Sequence, residues 1–214
     1  MRRLSAFILH AIAASVMTWG WFNLVDLLAE KGGYFQFLTN QGLAMTWLCM
    51  IISLFCDVFP SVTVARHLKR ALLMISIPVE FIITSIYWPL LLFLPHLILP
   101  PTDVSPTASS APSSLRLPLQ VDLALHASPL LAVLVDFFAF EPKFPKIYVH
   151  TAAPAAILAF AVWYASFVEY CATLSGTFPY PFLTYSPFAV RVMIYTAAAG
   201  ISLGCFRTLN ALHA

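Results

Sequence analysis

The chain reads as an all-α membrane protein, a bundle of six transmembrane helices with both termini cytoplasmic, and three observations carry that expectation. Of its 214 residues, 61% are hydrophobic and only 9% are charged, with a mean hydropathy of +0.87, which leaves too little polar surface for a water-soluble domain. Six stretches reach the length of about 20 apolar residues that crosses about 30 Å of hydrocarbon. The lysines and arginines are shared unevenly between alternate loops, as the cytoplasmic preference of basic residues requires. Within the six runs the apolar residues fall on every face rather than alternating, which favours helices over a β-barrel.

The spans are expected near residues 4–28, 38–56, 71–95, 121–140, 147–171 and 188–210, all within a single transmembrane domain covering 1–214. The first follows Arg2 and Arg3, as a secretory signal would, but its length of about 25 residues and the lack of a clear small-x-small cleavage site favour a retained span. The second opens after Gly32-Gly33. The third contains Pro78, which has no N–H to give the helical ladder and so favours a bend. Residues 100–118, PPTDVSPTASSAPSSLRLP, are Pro/Ser-rich and predict a flexible loop before the fourth span. The sixth span carries Thr196, Gly200 and Gly204 on one stripe, which predicts close packing within the bundle.

With six spans, one side of the membrane holds Arg2, Arg3, Arg66, Lys69, Arg70, Lys143, Lys146 and Arg207, and the other holds Lys31, Arg116 and Arg191. Eight basic residues against three place the termini in the cytoplasm. The cluster Arg66, His67, Lys69 and Arg70 is expected to fix topology or meet anionic headgroups.

Several functions are excluded by what the sequence does not contain. The four cysteines, Cys49, Cys56, Cys171 and Cys205, show no metal-ligand spacing, so no metal and no cofactor are expected. A net charge of +2 with no soluble domain excludes nucleic acid as a partner. There is no Gly-x-Ser-x-Gly elbow, no His-Glu-x-x-His and no phosphate-binding glycine loop.

Ionisable groups within apolar runs are costly in lipid unless they face the bundle interior, a partner or water. Asp26, Asp136 and His150 lie close enough to the ends of their spans to serve as interfacial anchors. Glu80, near the middle of the third span, is harder to dismiss, and a structural hydrogen bond and a role toward substrate are equally open for it. Glu169 lies near the non-cytoplasmic end of the fifth span. His126 opens the fourth span with Asp122 four residues earlier, so that the carboxylate can accept from one ring nitrogen while the other faces a reactant. Thr39 sits where loop turns into helix, a place where threonine ordinarily caps the helix. At a rise of about 1.5 Å per residue, Thr39 and His126 share one depth, within about 10 Å of the same interface.

At these positions the chain resembles the androgen-induced protein and androgen-dependent TFPI-regulating protein family of transmembrane threonine hydrolases. Gly32-Gly33-Tyr34-Phe35-Gln36-Phe37-Leu38-Thr39 is similar to that family's Gly-Gly-x-aromatic-Lys-aromatic-Leu-Thr signature, with Gln36 in place of the lysine. Ile77-Pro78-Val79, Tyr87-Trp88, Leu125-His126-Ala127 and Tyr180-Pro181-Phe182-Leu183 follow in order, so the likeness covers about 30–210. The family's Asn and His before the catalytic histidine are Asp122 and Leu123 here.

The resemblance implies a multi-pass enzyme of the endoplasmic reticulum or another endomembrane that hydrolyses lipid esters, notably fatty acid esters of hydroxy fatty acids, with membrane lipids as its surroundings. Thr39 matches the nucleophile and His126 the histidine. Asp122, Asn40 and Gln41 are candidates to orient the base or support an oxyanion. Glu80, Tyr87, Trp88, Glu169 and Tyr180 are candidates to line the substrate pocket. A different class fits the composition as well: a small transporter or lipid-binding protein without catalysis, in which Glu80, Glu169 and His126 line a path. The sequence leaves the oligomeric state open.

Overall fold

A computed structural model describes residues 1–25, 33–99 and 116–214. Among the described residues no strand occurs, and six helical spans are long and apolar enough to cross a membrane. In chain order the helices are α1 (Arg2–Val25), α2 (Leu38–Val58), α3 (Thr63–Phe93), α4 (Leu119–His126), α5 (Ser128–Ala139), α6 (Ala153–Ser175), α7 (Pro181–Thr184) and α8 (Phe188–Leu212). Asp26, Gly32, the last residues of the expected first span and most of the expected flexible loop lie outside the described residues.

The fourth span is two helices rather than one. Between α4 and α5, Ala127 leaves helical geometry at φ −126° and ψ −45°. Pro129 is the cause: it has no N–H for the carbonyl four residues back, and its ring crowds that carbonyl. Beside the Leu125 carbonyl that Pro129 leaves unbonded, the Ser128 hydroxyl donates to the Ala124 carbonyl at 2.8 Å. Pro78 and Pro89, by contrast, sit inside an unbroken α3.

Helix α3 is the hub, packing against α2, α4, α5, α6 and α8, while α1 lies on α2, α4 and α5. Met17, Leu43, Met50, Leu73, Ile77 and Phe137 are wholly enclosed between these helices. Gly42 permits the closest approach, since a Cβ there would lie 2.5 Å from Ile83 Cδ1 and 2.9 Å from Glu80 Oε1.

The sixth span departs from expectation. Thr196, Gly200 and Gly204 face outward, and a Cβ on either glycine would meet nothing within 4 Å. The inward face of α8 belongs instead to Ser202, Phe206 and Asn210, which are buried.

Both termini lie at the same end of the bundle, because Arg2 donates to the Ala139 carbonyl at 3.0 Å and His213 to the Phe137 carbonyl at 2.9 Å. A buried charge network closes this end, and it bears on two expectations. Asp136 is no interfacial anchor: it is fully enclosed, 2.9 Å from Lys69 Nζ and 2.9 Å from His10 Nε2. Lys69 also reaches Glu141 at 2.8 Å, and Arg70 meets the other oxygen of Glu141 at 2.9 Å, so neither is free for headgroups. His10, unremarked in the sequence, places its other nitrogen 2.6 Å from Asp57. Charges in a low-dielectric interior persist only where such partners offset them. His150, as expected of an anchor, is exposed.

Candidate active site

At the opposite end, the chain enters α2 through Gly33, whose φ of +75° lies in the left-handed region that glycine reaches without strain. A single 3₁₀ turn over Tyr34–Gln36 follows. Side chains of the first turn of α2 reach back to brace it: Asn40 Nδ2 donates to the Tyr34 carbonyl at 2.6 Å and Gln41 Nε2 to the Phe35 carbonyl at 2.7 Å. Both amides are thereby committed to the loop and are not free to meet an oxyanion. The residue preceding α2 is Phe37, which has no capping oxygen.

Thr39, the second residue of the helix, is therefore not its N-cap. That function falls to a residue far along the chain, Tyr180, whose hydroxyl accepts the Leu38 N–H at 3.2 Å. The Tyr180 hydroxyl also interacts with the side chains of Thr39 and Tyr164 and with the Thr39 backbone. Tyr164 in turn donates to the Gln36 carbonyl at 3.3 Å. Tyr180 is set by its surroundings, edge-on to Phe37 at 5.9 Å and stacked on Phe182 at 5.6 Å. Burial pushes its phenol above the usual value, so it carries its proton at neutral pH.

His126 ends α4 with Nδ1 2.7 Å from Asp122 Oδ1. A carboxylate at that distance accepts a hydrogen bond from Nδ1–H, which leaves the lone pair on Nε2. Three residues of α3 hold this pair. Tyr87 lies parallel to the imidazole, with centroids 3.5 Å apart and planes 5° from coincidence, and its hydroxyl donates to Asp122 Oδ1 at 2.6 Å. Thr84 and Trp88 donate to the His126 carbonyl at 2.7 Å and 3.3 Å. That carbonyl is free for them because the helix breaks just after it. Positions 84, 87 and 88 share one face of a helix, a spacing visible in the sequence although Thr84 was not singled out there. Trp88 thus holds backbone, and Asp122 with Tyr87 orients the ring.

Two cavities meet at this place. One, of about 340 Å³, is lined by Thr39, Asn40, Tyr87, His126 and Tyr180 together with apolar side chains. The other, of about 140 Å³, is almost wholly apolar and runs between α3, α6 and α8 past Val79, Ile82, Ile157, Phe160 and Ala199. Thr39, Tyr87 and Tyr180 line both and so form the wall between them. Thr39 and His126 are brought to one chamber.

Glu80 and Glu169 line neither cavity. Glu80 is completely buried and accepts from Thr46 at 2.9 Å, which makes it part of the α2–α3 contact. Glu169 forms a two-pronged pair with Arg191, both contacts 2.7 Å, and joins α6 to α8. Among the described residues no group of side chains is suited to holding a metal ion.

The sequence pattern of the FAR-17a/AIG1-like protein family matches residues 5–214. A UPF0641 membrane protein of Schizosaccharomyces pombe is 31% identical over 99% of this chain and 91% of its own length. A UPF0641 membrane protein of Saccharomyces cerevisiae is 28% identical over 78% of this chain and 73% of its own. No solved structure matches. Continuous from the first helix to the last residue, that match makes this multi-pass membrane chain a member of the FAR-17a/AIG1-like family.

Proposed function

We propose that the chain is a membrane-embedded carboxylic ester hydrolase of the threonine type, cleaving lipid esters such as fatty acid esters of hydroxy fatty acids in an endomembrane, with its termini in the cytoplasm. The observation that carries this reading is that Thr39 and His126 line one chamber while Asp122 holds the far nitrogen of the imidazole.

A threonine hydroxyl is too weak an acid to attack an ester unaided, so it needs a base within hydrogen-bond reach, about 3 Å, once substrate is bound. Nε2 of His126 takes the Thr39 proton as Oγ1 bonds to the carbonyl carbon and the carbonyl π electrons move onto oxygen. Collapse of that tetrahedral adduct breaks the bond to the leaving oxygen, which takes the proton back from Nε2 and departs as the alcohol. Water then adds to the acyl-threonine by the same route: it gives one proton to Nε2, the Thr39 oxygen leaves and recovers a proton, and the free acid is released. The apolar cavity behind Thr39 suits an acyl chain in the chemistry of its walls.

A transporter has less to support it. Both cavities reach Thr39, while the buried network around Asp136 at the other end lines neither, and Glu80 and Glu169 are spent on helix contacts. The test is labelling of the detergent-solubilised chain by a fluorophosphonate together with ester turnover. Thr39→Ala and His126→Ala are each expected to abolish both in a protein that still melts cooperatively. Turnover that survives both substitutions would end this reading.

A further inference from the structure

A nucleophile and a base do not complete an ester hydrolase, because the charge that develops on the carbonyl oxygen needs donors already in place. The first turn of a helix is the usual supplier, and α2 begins beside Thr39. Its donors are nonetheless engaged. The Asn40 and Gln41 amides brace the loop, their backbone N–H groups bond the Phe37 carbonyl at 3.1 Å and 3.4 Å, and the Leu38 N–H points to Tyr180.

We infer that the Tyr180 hydroxyl is the oxyanion donor of this site, a catalytic residue that carries the polarity of the α2 N-terminus to the substrate carbonyl. The inference rests on the hydrolase reading above and adds to it the group that stabilises the adduct.

The argument is one of counting protons. Tyr180 Oη receives the Leu38 N–H, which fills an acceptor position and leaves its own proton uncommitted. Tyr164 has the Gln36 carbonyl, at 3.3 Å, and the Tyr180 oxygen to donate to, and neither bond uses the Tyr180 proton. The Thr39 hydroxyl, also against the Tyr180 oxygen, gives its proton to His126 during attack and so does not use the Tyr180 proton either. The Tyr180 proton is therefore the mobile one of the three, free to turn from a hydroxyl oxygen to the carbonyl oxygen of a bound ester.

Accepting a hydrogen bond strengthens a hydroxyl as a donor, and the helix N-terminus adds a favourable field for negative charge. Tyr180 lines both chambers, as Thr39 does, so an ester carbonyl attacked from Thr39 lies in reach of the phenol. Burial that keeps the phenol protonated is what a donor requires and what a base would not tolerate.

The experiment measures kcat and KM of the full-length chain toward a nitrophenyl ester of a medium-chain fatty acid, in parent, Thr39→Ala, Tyr180→Phe, and a parent carrying ring-fluorinated tyrosines at position 180. Tyr180→Phe is expected to lower kcat on the order of 10²-fold with KM nearly unchanged, the loss typical of removing one oxyanion donor. The fluorinated series, which preserves shape and the Leu38 contact, is expected to change kcat progressively with phenol acidity.

A Tyr180→Phe chain that turns over like the parent, while Thr39→Ala is inactive, overturns the inference and leaves the hydrolase reading standing. Loss of activity and melting temperature together in Tyr180→Phe, with every fluorinated chain running at the parental rate, reduces Tyr180 to a helix cap and overturns it as well. Turnover retained in Thr39→Ala removes the hydrolase reading, and this inference with it.

Discussion

Tyr87 and His126 lie face to face, ring centroids 3.5 Å apart and nearly parallel, while the Tyr87 hydroxyl and His126 Nδ1 converge on the same oxygen of Asp122. One side chain of α3 thereby fixes both the plane of the imidazole and the carboxylate behind it. Asp122→Asn keeps the shape but lets the amide donate to Nδ1, which moves the ring proton to Nε2 and removes the base. Ester turnover is expected to fall on the order of 10²-fold with little change in melting temperature, read from kcat and a thermal scan of the same preparation.

The carbonyl of His126 is held by Thr84 and Trp88. Thr84→Val leaves a buried acceptor short of its shorter bond and is expected to cost about 1–3 kcal/mol. Because the carbonyl belongs to the proposed base, kcat should fall alongside stability, whereas a remote substitution of equal thermal cost should spare it.

Substrate length should be set by the apolar cavity. Ala161 and Ala199 are among its walls, and Ala199→Phe would fill volume that an acyl chain needs. Long-chain esters are expected to lose turnover while short-chain esters keep it, compared as kcat/KM across a homologous series. Equal loss for all lengths would exclude this cavity as the acyl site.

At the other end of the bundle, Lys69→Met removes the buried cation shared by Asp136 and Glu141 and leaves them His10 and Arg70 alone. Removing one partner of a buried pair costs about 3–5 kcal/mol, so this chain should unfold at markedly lower temperature. Adding Asp136→Asn should recover part of the loss, a coupling that a double-mutant cycle measures.

Gly42→Ala tests the α2–α3 contact, since the added methyl falls 2.5 Å from Ile83 Cδ1 and 2.9 Å from Glu80 Oε1. Overpacking of this kind costs about 1–3 kcal/mol, visible as a lower midpoint of thermal unfolding. An unchanged midpoint would mean that the two helices part without penalty.

Six membrane spans are legible in the chain alone, because span length and hydropathy are properties of consecutive residues. The meeting of Asp122 with His126 is legible in the same way, since four residues make one turn of a helix. The remaining contacts come from packing between distant helices. The partners of Asp136 are His10 and Lys69, remote in the chain, so a carboxylate near the end of a span looked like an anchor until packing enclosed it. Tyr180 caps a helix that starts 142 residues earlier, which no local pattern records. The outward turn of Thr196, Gly200 and Gly204 followed the same rule: spacing fixes which residues share a stripe, and only the packing of α8 on its neighbours chose which stripe faced inward. Local periodicity is written in neighbouring residues, whereas the choice of face and of distant partner depends on how all the helices bury surface together.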